Sequence, residues 1–220
     1  TLSLNPNLKI LDIGCGYNAN KFANVICDVQ DLKSHYEGKK FVKLDSKIKT
    51  QIRSISKVKI LEKGTILIKQ NQANVKYSYF VVEGCARSYY TDYNAKEHTV
   101  QFSVKDNWIS DYMSLYTDER ASLTLECISD VTLIEASIFN IEEVFKKFPQ
   151  LETYHRNNLQ INLVKLNRRI LNLLHLTAPE RYKLFLEYYK GVDQFALNLH
   201  IASYLGITQQ SLSRIRGNKI

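Results

Sequence analysis

Proline is scarce, at 3 in 220 residues, so long extended linkers are not expected. No apolar run approaches the roughly 20 residues that a bilayer-spanning helix needs, so no membrane crossing is expected. The four cysteines, Cys15, Cys27, Cys85 and Cys127, form no C-x-x-C pair and stand apart from histidine. Such spacing offers no readable zinc site and no iron–sulfur cluster, and points to reduced thiols in a cytoplasmic protein. No metal and no cofactor are expected. Carboxylates also run out toward the end of the chain, where none follows Asp193.

What is present is a chain with 45% hydrophobic and 24% charged residues, a balance that favours a packed core over disorder. Its net charge of +8 favours an anionic partner. From residue 160 onward there are nine Lys and Arg against three Asp and Glu, so this portion carries +6 of that charge. Attraction to phosphates needs such an imbalance.

Four textures follow one another. Residues 1–45 mix short apolar runs with Gly and Asn; a strand ends at Gly14-Cys15-Gly16, and residues 25–27 and 41–44 could be two more. Residues 46–64 carry a short helix, capped by Asp45 or Ser46, with Ile48, Ile52 and Ile55 on one face. Residues 65–137 read as β, with strands at 65–68, 77–82, 86–90, 99–103 and 131–134. Turn signals separate them at Glu83-Gly84, Asp92-Tyr93-Asn94 and Lys105-Asp106-Asn107, which suggests an antiparallel sandwich, roll or barrel. Residues 138–220 read as helical. A helix at 141–148 stops at Pro149, and a long one follows over about 151–176.

Along that long helix Leu159, Leu163, Leu166, Ile170 and Leu173 recur at spacings of 4, 3, 4 and 3, the seam of a heptad repeat. Ile161, Val164, Leu171 and Leu174 broaden the stripe. A helix with two apolar flanks must bury both, and a two-fold homodimer is the economical solution. A plain core helix is the other reading of the same pattern. Pro179 and Glu180 open the next helix.

The last two dozen residues have helix-turn-helix grammar. Ile201, Ala202 and Leu205 pack a first helix, Gly206 permits the positive-φ turn, Ile207 plugs the corner and Thr208 caps a second helix held down by Leu212 and Ile215. Gln209, Gln210, Ser213, Arg214 and Arg216 then face outward. Gln can read adenine and Arg guanine in the major groove. Thr208 and Ser211 are expected near phosphates, with Lys219 as a further basic contact to the backbone. A helical hairpin with a merely polar face is the bland alternative.

The order β-rich domain, seam helix and helix-turn-helix, with Leu61-Glu62-Lys63-Gly64, residues 79–84, residues 96–102, Trp108-Ile109-Ser110-Asp111 and residues 201–208, resembles the cyclic-AMP receptor / fumarate–nitrate regulator (Crp/Fnr) family, in a Bacteroidetes-type branch. The similarity covers roughly residues 46–220. It implies an α+β chain with a cyclic-nucleotide-binding-like β-roll at 46–148, a dimerisation helix at 149–176 and a DNA-binding domain at 177–220. It also implies a homodimer on palindromic double-stranded DNA, with Gln209, Gln210 and Arg214 at base-reading positions and an unnamed small-molecule effector. RNA polymerase is the further partner that activation would require. Family members that bind cyclic AMP hold its phosphate with Gly, Glu and a buried Arg. The matching stretch, residues 108–125, carries Ser110 and Asp111 at the first two positions and Ala121 at the third, with Arg120 one place away. Tight cyclic-nucleotide binding is therefore not expected; Ser110, Asp111 and Arg120 remain the candidate effector-pocket residues. The family's oxygen-sensing cysteine cluster is missing, and His98 is a lone strand histidine without a second haem ligand.

Residues 1–45 are an atypical extension. Leu11-Asp12-Ile13-Gly14-Cys15-Gly16 resembles the first motif of S-adenosylmethionine-dependent methyltransferases, with Asp28 where an acidic residue would bind ribose. No further alternation of strands and helices follows, so an active enzyme is not expected. An S-adenosylmethionine-binding enzyme or fragment using the Asp12–Gly16 turn stays open as the alternative function.

Overall fold

The computed structural model of the chain describes residues 46–217. The motif at residues 12–16, Asp28, Asp45 and Lys219 lie outside the described residues.

The first described helix, α1 (Ser46–Ile55), buries Ile48 and Ile52. Eight strands follow: β1 (Ser56–Leu61), β2 (Ile66–Ile68), β3 (Tyr77–Glu83), β4 (Ala86–Thr91), β5 (Glu97–Ser103), β6 (Trp108–Ile109), β7 (Thr124–Cys127) and β8 (Val131–Ser137). The short α2 (Tyr112–Tyr116) sits between β6 and β7. Then come α3 (Ile138–Lys147), the long α4 (Pro149–His175), α5 (Ala178–Tyr188), α6 (Asn198–Leu205) and α7 (Gln209–Gly217). The architecture is α+β, as expected.

The strands form two four-stranded antiparallel sheets, in the orders β1-β8-β3-β6 and β2-β7-β4-β5. Three strands escaped the sequence reading. In β1, Lys57 and Lys59 blur the apolar pattern, β6 has two residues, and β7 lies in the stretch assigned to an effector loop. Alternation along each strand divides the side chains among three cores. Tyr79, Val81, Leu125, Cys127 and Leu133 fill the space between the sheets. Phe80, Val82 and Ile134, one residue out of phase, face α1, α3 and the start of α4. Each fully buried Leu contributes roughly 1.5–3 kcal/mol.

Pro149 both ends α3 and occupies the first turn of α4, where its missing N–H costs nothing. At 27 residues α4 is about 40 Å long. At Gly84 (φ +85°) a Cβ would sit 2.1 Å from the Asp130 carbonyl oxygen, so the β3–β4 turn admits only glycine.

The third core joins the outer face of the second sheet to the C-terminal helices. Cys85 from the β3–β4 turn and Phe102 from β5 pack with Tyr182, Phe185, Ile201, Ala202, Leu205 and Leu212. Phe102, Phe185 and Tyr204 have ring centroids 5.5 to 5.7 Å apart. The sheet and the helical C-terminus thus share one interior.

Candidate nucleic-acid interface and the β-roll behind it

The turn between α6 and α7 is built as its sequence dictates. Gly206 ends α6 in the left-handed region (φ 67°, ψ 37°), and the Ile207 amide reaches back to the Ala202 carbonyl at 3.0 Å. This closes the helix end in the manner of glycine C-caps. Thr208 caps α7, its hydroxyl accepting from the Ser211 amide at 3.1 Å. A Cβ on Gly206 would lie 3.4 Å from Cδ2 of Leu173. Steric space is thus tolerable but the dihedral is not, and Gly206→Ala is expected to lower stability by about 1 kcal/mol, read from the urea midpoint.

Leu212 is fully buried and anchors α7. Thr208, Gln209, Gln210, Ser213 and Arg214 are exposed, with Ser211 half-buried behind them. The Arg214 guanidinium makes one long contact, 3.5 Å to the Ser211 hydroxyl, and is otherwise directed to solvent. Arg216 departs from the expected outward set. Its Nε donates to the Tyr182 hydroxyl at 2.9 Å and its Nη1 to Asn198 Oδ1 at 2.6 Å, fastening the end of α7 to α5 and α6. Residue 216 lies one turn beyond the buried Leu212, so helical spacing places it on the inner flank.

On α4 the seam is bare. Leu159, Leu163, Leu166, Ile170 and Leu173 are all exposed in the single chain, as are Val164, Leu171 and Leu174. Eight large apolar side chains exposed along one helix form an unusual surface for a single chain.

The three pocket candidates on the β-roll do not converge on a cavity. Ser110 is buried and donates to the Tyr77 carbonyl at 2.9 Å. Asp111 is fully buried: it caps α2 through the Ser114 amide (2.9 Å) and takes the Ser122 hydroxyl (2.9 Å) and the Leu123 amide (2.7 Å). Arg120 is exposed and donates to the Asn71 carbonyl at 2.9 Å. An internal carboxylate thus takes up donors that an anionic ligand would otherwise need. An open groove of about 500 Å³ lies on the outer face of the second sheet, with Ile66, Gln70, Tyr89, Thr124 and Arg120's partner Asn71 among its walls, but none of the three candidates lines it.

Residues 58–148 match the cyclic nucleotide-binding domain family. No curated protein matches the sequence. Among solved structures, FixK2 from Bradyrhizobium japonicum superposes with a TM-score of 0.63 at 20% identity, covering 74% of this chain and 84% of that one. The regulator CLP from Xanthomonas campestris, described as responsive to c-di-GMP, gives 0.62 at 13% identity, over 79% of this chain and 91% of that one. A transcriptional regulator of the crp/fnr family from Eubacterium rectale gives 0.60 at 16% identity, over 78% and 82%. The fold is that of the Crp/Fnr regulators.

Among the described residues lies a buried charged cluster that the sequence did not announce. Arg87 on β4 is 1% exposed. Its Nη2 donates to Glu97 at 2.7 Å and Glu126 at 2.8 Å, and its guanidinium lies 4.0 Å from the Tyr89 ring centroid. His200 of α6 packs nearby, buried, with no partner for Nδ1. Among the described residues no group of three His, Cys, Asp or Glu could hold a metal ion, and no helix is long and apolar enough to cross a membrane. Burial pushes the Cys85 thiol up to about 12 and that of Cys127 up to about 11, so both stay protonated.

Burial holds His200 below its ordinary value of 6.5, helped by Arg87 and Lys63 and opposed by Glu126 and Glu97. His155 on α4 is lowered by burial too. A base whose folded pKa is depressed takes up its proton sooner in the unfolded chain. Its stabilising effect is therefore complete above about pH 6.5 and lost as pH falls through the lower folded value. The melting temperature is expected to drop between pH 7 and pH 5, and His200→Gln to flatten that slope.

Proposed function

We propose that the chain is a homodimeric, sequence-specific DNA-binding transcription regulator of the cytoplasm, acting by binding rather than catalysis. The observation that carries this reading is the exposed face of α7. Gln209, Gln210, Ser213 and Arg214 present base-reading chemistry on a capped helix, with Thr208 and Ser211 at its phosphate end. The basic excess after residue 160 supports it, since phosphate contacts supply the sequence-independent part of affinity. The bare seam of Leu159, Leu163, Leu166, Ile170 and Leu173 supports pairing through α4. Two recognition helices about 34 Å apart would then enter successive major grooves of a palindromic operator. On this reading residues 46–148 are the sensor-like part, 149–176 the dimerisation helix and 177–220 the DNA-binding part, with 1–45 an extension. RNA polymerase would be the partner of an activator.

Cyclic AMP is not the expected signal, because Asp111 is already satisfied by internal donors and Arg120 is turned to Asn71. A different small-molecule effector is compatible with the β-roll.

The decisive test is Arg214→Ala against duplexes enriched from a random pool by the wild type. Loss of a bidentate contact to guanine should cost about 1–3 kcal/mol in specific affinity, with random-sequence binding changed far less. An unaltered footprint and affinity would remove the assignment of α7 as the reading helix.

A further inference from the structure

The strand β5 lies at the edge of the second sheet, paired on one side with β4. The other side of an edge strand presents free N–H and C=O groups that must find partners or face water. Here four of them are taken by two side chains from different helices. Ser203 of α6 accepts from the Thr99 amide at 2.8 Å and donates to the Glu97 carbonyl at 3.1 Å. Arg169 of α4 donates to the Val100 carbonyl at 2.8 Å and to the Thr99 carbonyl at 3.2 Å.

Arg169 does one thing more. Its Nη2 also donates to the Tyr204 carbonyl at 3.1 Å, and its guanidinium lies 4.3 Å from the Tyr204 ring centroid. Tyr204 is in the last turn of α6, where carbonyls lack helical partners. A single side chain therefore touches the sheet edge and the head, and it springs from α4 between the seam residues Leu166 and Ile170. The apolar contact beneath, Phe102 against Phe185 and Tyr204, resists separation but tolerates sliding. Directional hydrogen bonds to fixed backbone groups do not.

We propose that Arg169 and Ser203 are positioning residues that lock the posture of the helix-turn-helix to the edge of β5 and to the α4 seam. The lock sets the separation of the two recognition helices in a dimer, and so the spacing of half-sites the protein accepts. The inference rests on the DNA-binding reading above and adds to it a determinant of operator geometry that lies outside α7.

The test compares wild type with the double variant Arg169→Gln/Ser203→Ala. The probes are a duplex enriched from a random pool, the same duplex with two base pairs inserted at its centre, and a duplex with one half-site. Two base pairs rotate one half-site by about 70°, so wild type should lose at least about tenfold in affinity on insertion. The double variant should lose less than about threefold, while its affinity for the single half-site stays within about twofold of wild type. Arg169→Lys, which keeps the charge without the planar fork, should fall between them. A wild-type-like insertion penalty in the double variant overturns the proposal. If the double variant does not fold, Ser203→Ala alone is read in the same assay, with the same outcomes in smaller measure. Hydrogen exchange at the Thr99 amide separates this question from DNA binding itself. Faster exchange in Ser203→Ala supports the lock even if no duplex is enriched, a result that would sink the DNA-binding reading, and unchanged exchange overturns it.

Discussion

Replacing Leu163 and Leu166 together by glutamate is expected to yield a folded monomer with very weak operator binding. Both side chains are about half exposed in the single chain, at 58% and 48%, so the protomer gives up little packing when they change. A dimer gives up much more. Across a two-fold seam each substitution appears twice, placing four carboxylates in a surface otherwise lined by Leu159, Ile170 and Leu173, and unpaired charges desolvated there are strongly destabilising. Losing the dimer removes the second head from the effective neighbourhood of the first. Linked heads gain about 10²–10⁴ in avidity over one alone, so binding to an enriched palindromic duplex should fall by a factor in that range. Sedimentation should report a particle near 25.5 kDa. The melting curve of a dilute sample, already monomeric, should be little changed. A variant that stays dimeric and binds normally would place the dimer contact elsewhere. A plain core helix would bury these side chains within its own chain, whereas all five are exposed in the single chain, and the expected monomerisation tests the two-fold reading of α4.

Legibility followed the range of the interactions. The turn from α6 to α7 could be read because each part acts within a few residues: Gly206 for a left-handed dihedral, Thr208 for the Ser211 amide, Leu212 for the core. The same local logic, pressed one step further, would have turned Arg216 inward, since it follows Leu212 by four. The long strands β3, β4, β5 and β8 were visible as apolar or aromatic runs, whereas β1, β6 and β7 owe their existence to register with partners far along the chain. The candidate pocket shows the same limit. Sequence aligned Ser110, Asp111 and Arg120 on one segment, but Asp111 is consumed by Ser122 and Leu123, and Arg120 by Asn71 across 49 residues. The contacts of Arg169 to β5 cross about 70 residues, and no local pattern encodes them.

Losing Arg87 should cost the fold heavily. Arg87→Ala is expected to destabilise the protein by about 3 kcal/mol, within the range for breaking a buried ion pair but below its top, because water reaches both carboxylates. Glu97 and Glu126 keep side-chain exposures of 35% and 23%, against 2% for the arginine. Two costs add up. The substitution opens a cavity beside Tyr89, whose ring the guanidinium covers, and it leaves two carboxylates facing each other across β4 without a cation. The second cost can be isolated. In Arg87→Ala/Glu97→Gln/Glu126→Gln the facing groups are neutral, so the triple variant should recover at least about 1 kcal/mol over the single one, the sign expected once the uncompensated carboxylates are neutralised. Urea denaturation of the three proteins at pH 7 measures both numbers, and a loss below about 1 kcal/mol for Arg87→Ala would mean that the cluster does not hold the sheet together. The same cluster faces His200 on α6, so its removal should also loosen the junction between sheet and head. The lock at Arg169 and Ser203 would then carry that junction with less support, and the spacing preference for half-sites should relax in Arg87→Ala as is expected for the double variant.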